Sequence, residues 1–151
     1  MIEIIRVTSE NKNFQDLIRE LDVELNLRYG LLQNQYNQYN VIKDLNTVVV
    51  AYINKKAAGC GCFKELDPTT VELKRMLVKS EQRGSGIAQL IITELEQWAV
   101  EKGYSKMVLE TGIKQPDAIR FYSKQGYVVI PNYGQYMDND NSICMSKDLQ
   151  K

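Results

Sequence analysis

Glu72-Leu-Lys-Arg-Met-Leu-Val-Lys-Ser-Glu-Gln-Arg-Gly-Ser-Gly-Ile-Ala88 decides how this chain folds, because it carries a strand through a glycine-containing turn into an amphipathic helix. Thr70 to Val78 alternates as a strand, with Val71, Leu73 and Leu77 on one face and Arg75 interrupting it. Beyond the turn, Ile87, Leu90, Ile91, Leu95 and Trp98 recur at helical spacing, and Glu94 alone breaks the stripe. Such a turn leaves backbone N–H groups at the positive end of a helix dipole, an arrangement suited to phosphate oxygens. A phosphorylated cofactor is the expected ligand. The turn is not a P-loop, since no Gly-Lys-Ser/Thr follows, and Gln89 stands where a dinucleotide fingerprint needs its third glycine. By itself it also reads as a plain strand-to-helix turn.

Working outward, Ile2 to Val7 predicts a strand, and Phe14, Leu17, Ile18, Leu21 and Leu25 predict a helix from Asn13 to about Leu27. Gly30 to Asn46, rich in Gln, Asn and Tyr, suggests a short helix and loop. Thr47 to Ile53 and Ala57 to Glu65 predict a hairpin through Asn54-Lys55. Asp67-Pro68 turns the chain into the strand that ends at Val78. Lys102-Gly103 stops the central helix. Lys106 to Thr111 follows as a strand, Asp117 to Lys124 as a helix stopped at Gly126, then Tyr127 to Ile130 and Ser142 to Lys147 as strands around a loop from Pro131 to Asn141. Hairpins followed by βαβ imply a mixed α+β sheet with helices on both faces, in one domain spanning 1–151.

Lys plus Arg number 19 and Asp plus Glu number 19, so no global charge steers the chain toward nucleic acid or an anionic membrane. The first residues are too charged for a signal peptide, and no apolar run approaches the ~18 residues that span a bilayer, so a soluble, cytoplasmic protein is expected. The three cysteines, Cys60, Cys62 and Cys144, and the absence of histidine argue against a disulfide framework, a metal site and a Ser-His or Cys-His nucleophile. Cys60 and Cys62, two apart on a strand, read as small core residues. Proton transfer must then use carboxylate, Tyr, Lys, Cys or water.

Arg83, Gly86 and Ala88, with Leu77-Val78 before them and Pro116-Asp-Ala-Ile-Arg-Phe-Tyr-Ser-Lys-Gln-Gly-Tyr127 after, resemble the GNAT superfamily of acyl-coenzyme A dependent N-acetyltransferases. The match covers roughly half the chain, in order. It implies a GNAT-type, mostly antiparallel sheet of about six or seven strands, binding acetyl-CoA as cosubstrate, with no metal. Backbone N–H groups of Gly84, Ser85, Gly86, Ile87 and Ala88, beside Arg83, would hold the pyrophosphate. The edge at Met76, Leu77 and Val78 would pair with the pantetheine amides as an added strand does. Gln115 stands where the family has Asn, and Lys124 would lie near the nucleotide end. Tyr122 matches a tyrosine that can protonate the departing thiolate; its bland alternative is a core aromatic beside Phe121. Glu72 stands where several relatives carry a catalytic residue, and an amine of pKa near 10 needs such a base. A carboxylate there would need a desolvated setting or a water relay, and a solvated charge pairing with Lys74 is the alternative.

Arg75 suits a substrate carboxylate or an internal salt bridge. Tyr29, Tyr36, Tyr39, Tyr133 and Tyr136 cluster in the segments where the resemblance puts the acceptor site, and together they suggest an aromatic-lined pocket for a small-molecule amine. The expected reaction is direct transfer in a ternary complex. A protein or peptide acceptor, or a non-catalytic acyl-CoA sensor, remains the alternative. An exposed final strand could support a homodimer.

Overall fold

A computed structural model describes residues 1–29 and 45–149, with side chains at 1–20 and 45–149. The segment expected as a short helix and loop, with Tyr36 and Tyr39, lies outside the described residues apart from Leu45 and Asn46, and so does the side chain of Tyr29. The elements are β1 (Ile2–Val7), α1 (Lys12–Tyr29), β2 (Val48–Ile53), β3 (Lys56–Asp67), β4 (Thr70–Val78), α2 (Ile87–Glu101), β5 (Lys106–Gly112), α3 (Pro116–Lys124), β6 (Val128–Ile130) and β7 (Ser142–Asp148), with 3-10 turns at Ser80–Gln82 and Gly134–Tyr136. Asn11 caps α1 by accepting the Phe14 N–H at 3.0 Å. The β2–β3 hairpin turns on Asn54 and Lys55, both with positive φ, as a tight two-residue turn requires.

Seven strands form one sheet in the order β1-β2-β3-β4-β5-β7-β6. Every neighbouring pair is antiparallel except β4 with β5, which is parallel. This is the mixed, mostly antiparallel α+β sheet expected. Strand alternation divides the core in two. Val49, Ala51, Phe63, Val71, Leu73 and Leu109 pack with Ile87, Ile91, Leu95 and Tyr122 of α2 and α3, whereas Val48, Val50, Cys60 and Cys62 pack with Phe14 and Leu17 of α1. Both cysteines are buried core residues, and burial pushes the Cys62 thiol up to about 12, so neither is a nucleophile.

One expectation on β4 fails for a clear reason. Cys60 pairs with Leu77 but Cys62 pairs with Lys74, so β4 carries one residue more than β3 across this step. The extra residue is accommodated by a bulge at Arg75, whose φ of 54° is left-handed. Beyond it the alternation inverts: Leu77 joins the α1-side core, and Met76 and Val78 turn to the α2 side. Leu77 is therefore not on the face of Val71 and Leu73. The final strand is not exposed either, because β7 is hydrogen-bonded to β5 on one side and β6 on the other. The three-residue β6 is the sheet edge there, which removes the ground for the dimer expectation.

Candidate active site

Parallel pairing between β4 and β5 ends at Glu72 with Val108. Beyond that point the strands part, the bulge at Arg75 bends β4, and the β5-facing edge from Lys74 to Val78 carries no strand partner among the described residues. On the α2 side a cleft of about 540 Å³ opens along this edge and is lined by Met76, Leu77, Val78, Gln115, Phe121 and Tyr122 along with the glycine turn.

The turn has the backbone form its glycines predicted. Gly84 and Gly86 hold φ of 86° and 87°, a conformation that disfavours side chains, and α2 begins at Ile87. The first helical bond runs from the Leu90 N–H to the Gly86 carbonyl. Among the described residues the N–H groups of Gly84, Gly86, Ile87 and Ala88 have no acceptor, whereas that of Ser85 donates to the Gln82 carbonyl at 3.3 Å. Ser85 is therefore the member of the expected cradle that turns inward, and it does not line the cleft. Arg83 Nε donates to the Val78 carbonyl at 3.3 Å, fastening the turn to the end of β4. Gln115, at the cap of α3, lines the cleft; Lys124, exposed at the far end of that helix, does not.

Tyr122 is 8 % exposed on α3, its ring edge-on to Phe121 and Tyr127. Tyr122 is one of the residues lining the cleft, and its hydroxyl has no hydrogen-bond partner among the described residues. Burial raises its pKa. A buried hydroxyl is rarely left unpaired, so one on a cleft-lining residue is a candidate donor to a ligand atom. These orphan donors, together with the open edge of β4, fit a phosphorylated thioester carrier. Pyrophosphate oxygens match the turn, amides match the edge, and sulfur or carbonyl matches Tyr122.

The other face of the same opening is polar. Glu72 is 1 % exposed rather than solvated, and Oε2 accepts a 2.6 Å hydrogen bond from the Tyr133 hydroxyl. Its Oε1 lies 3.4 Å from Lys74 Nζ and 3.8 Å from Lys64 Nζ. Lys74, 6 % exposed, donates to the Tyr136 hydroxyl at 2.9 Å, and burial lowers its pKa despite Glu72. Glu110 lies two residues beyond the last position of β5 that pairs with β4, on this face, and accepts from the Ser142 hydroxyl at 2.6 Å. Burial pushes its carboxyl up to about 7, against the lowering effects of Ser142 and Lys74. The bulge residue Arg75 is half-buried and does not line the cleft; its carbonyl accepts from the Cys60 thiol at 3.5 Å.

The fold thus brings together the turn, Met76 to Val78, Gln115 and Tyr122 on one face, and Glu72, Lys74, Tyr133, Tyr136 and Glu110 on the other. Sequence reasoning missed Lys74 and Glu110 as site residues. Both break an otherwise apolar strand at positions sharing a face with Glu72 or Val108, a signal that alternation carries.

The acetyltransferase (GNAT) family profile matches residues 12–127, and the chain belongs to that family. It is a GNAT acetyltransferase. An IAA acetyltransferase of Azospirillum brasilense is 31% identical over 143 residues, covering 89% of this chain and 92% of that protein. A Klebsiella pneumoniae structure assigned as an acyl-CoA N-acyltransferase superposes with a TM-score of 0.81 at 26% identity over 99% of both chains. A GNAT acetyltransferase from Elizabethkingia anophelis with acetyl-CoA bound shares the fold, with a TM-score of 0.69 at 21% identity over 98% of both chains.

Proposed function

We propose that this acetyltransferase moves the acetyl group of acetyl-CoA directly to the amine of a small-molecule acceptor, with both held at the opening between β4 and β5. The observation that carries the reading is the junction of two faces at one gap: donors with no partner among the described residues on the α2 side, and an acid–base cluster around the buried Glu72 and Lys74 on the other. Gly84 and Gly86 to Ala88 would hold the pyrophosphate, Met76 to Val78 the pantetheine amides, and Gln115 the arm beside them. Acetyl-CoA supplies an activated acyl group on a good leaving thiolate. Tyr122 acts toward that sulfur as a hydrogen-bond donor, because a phenol made less acidic by burial donates a bond more readily than a proton.

The acceptor must lose a proton before it attacks, since an amine of pKa near 10 is charged at neutral pH. Glu72 is desolvated, as a base would need to be, but both of its oxygens are engaged. Glu110 answers the requirement better. One of its oxygens has no partner among the described residues, and a carboxyl tuned to about 7 gives up and regains a proton near neutrality. A small acceptor is favoured because Tyr133 and Tyr136 reach over this face to Glu72 and Lys74; the IAA acetyltransferase relative points the same way.

Incubation with acetyl-CoA and a panel of amino acids, polyamines and peptides, with thiol release and product mass as readouts, tests the proposal. Release with a small amine is the expected result. Release with peptides alone would move the acceptor to protein, and calorimetric binding without release under any amine would leave a sensor.

A further inference from the structure

Glu72 and Lys74 stand side by side on the α1 face of β4, and each is hydrogen-bonded to a tyrosine of the Pro131–Asn141 loop. The sheet order makes this contact unusual. The loop leaves β6 at the edge, and β7 and β5 lie between β6 and β4. At roughly 4.8 Å per strand, it reaches about 14 Å across the sheet to touch β4. Local packing of a loop against its own strands would not require that.

We infer that Glu72 and Lys74 are positioning residues, a buried ion pair that pins Tyr133 and Tyr136 and so holds the Pro131–Asn141 loop across the acceptor side of the β4–β5 opening. The 3-10 turn at Gly134–Tyr136 sets the spacing, because residues three apart in such a turn fall on one side. Tyr133 and Tyr136 pack edge-to-face with centroids 5.6 Å apart, so they descend as a unit. Tyr133 meets Glu72 Oε2 at 2.6 Å, Tyr136 meets Lys74 Nζ at 2.9 Å, and the charges lie 3.4 Å apart. Both anchors are short bonds to charged groups in a dry setting, where such bonds are strongest. The loop is also tied to itself, since Asn132 Nδ2 donates to the carbonyls of Asn139 and Ser142 at 3.1 Å. It therefore moves as one body when its anchors go. A carboxylate so occupied fixes geometry, and the strand beneath the loop is β5, which carries Glu110. Pinning the loop excludes water from the thioester's acceptor side, a consequence that rests on the acyl-transfer reading; the pinning itself does not.

Hydrogen exchange of the whole chain, read by mass spectrometry, tests the pinning in wild type, Glu72→Gln, Tyr133→Phe and the double variant. Peptides from 131–141 should exchange about tenfold faster in each single variant, the loss of a hydrogen bond to a charged group, and no faster in the double, because the two changes remove one interaction. Exchange in β2 and α2 should stay at the wild-type rate. Loop exchange unchanged in Tyr133→Phe, which removes one oxygen and keeps the fold even if Glu72→Gln does not, overturns the inference. Thiol release from acetyl-CoA with no amine present, where water splits the thioester to acetate and free thiol, separates positioning from proton transfer. It should rise several-fold in both single variants as water enters. A fall confined to Glu72→Gln would assign Glu72 to proton transfer, and an unchanged rate in both would overturn the exclusion of water. Wild type that fails to bind acetyl-CoA by calorimetry would sink the acyl-transfer reading while leaving the exchange result to decide the pinning.

Discussion

Tyr122 is buried and Glu110 half-buried, and the chemistry of each is set by what surrounds it. Tyr122 lines the cleft and its hydroxyl has no partner among the described residues, so removing that hydroxyl should cost the folded protein little and the reaction much. Tyr122→Phe should lower turnover about 100-fold while the acetyl-CoA affinity by calorimetry stays within about twofold. Glu110 offers a check that needs no substrate. Its folded-state pKa, raised from 4.5 to about 7 by burial, means the native state holds the proton more tightly than the unfolded chain. That stabilisation is complete below about pH 4.5 and is lost as pH rises through 7, reaching at most about 3 kcal/mol. Glu110→Gln keeps an acceptor for Ser142 and cannot ionise. Its melting temperature should exceed that of wild type at pH 8, and the difference should vanish near pH 4.5; parallel pH profiles would show that Glu110 ionises freely.

Among the elements, β4 does most to make the site, and the bulge at Arg75 is how. One additional residue inverts the alternation, sending Met76 and Val78 to the cleft while leaving Glu72 and Lys74 on the opposite face. The partner strand has to allow this. A Cβ on Gly59 of β3 would lie 2.7 Å from the Leu77 carbonyl oxygen, and one on Gly61 would meet side chains of Leu95, Met76 and Ile91 instead. Backbone yields less than side chain. Gly59→Ala should therefore cost about 1–3 kcal/mol in chemical denaturation and Gly61→Ala less, with the order of the two as the decisive reading.

For the whole molecule, the cleft proposed for acetyl-CoA is a joint product of β4, α2 and α3, so occupancy should stabilise the domain as one unit. At acetyl-CoA a hundredfold above its dissociation constant the gain is about 2.7 kcal/mol, on the order of 5–10 °C in melting temperature for a chain of this size. Gly86→Val forces a β-branched residue into a left-handed conformation at an open surface position, so the fold should survive. The variant should melt cooperatively and show no shift with acetyl-CoA; a full shift would refute the phosphate cradle.

Local chemistry was legible from the residues alone. Period-2 and period-3.6 patterns marked the strands and helices described, Asn54-Lys55 marked the hairpin, and the glycines at 84 and 86 marked the turn, because each depends on neighbours in the chain. The spacing from Arg83 to Tyr127 carried the family. The tertiary structure decided which face each β4 residue takes after Arg75, that β7 is interior, and that Glu72 is buried against Lys74 and Tyr133 instead of solvated. It alone brought Glu110 to the same opening. A bulge, a strand order and a desolvated charge arise from contacts between segments far apart in sequence, and no local pattern records them.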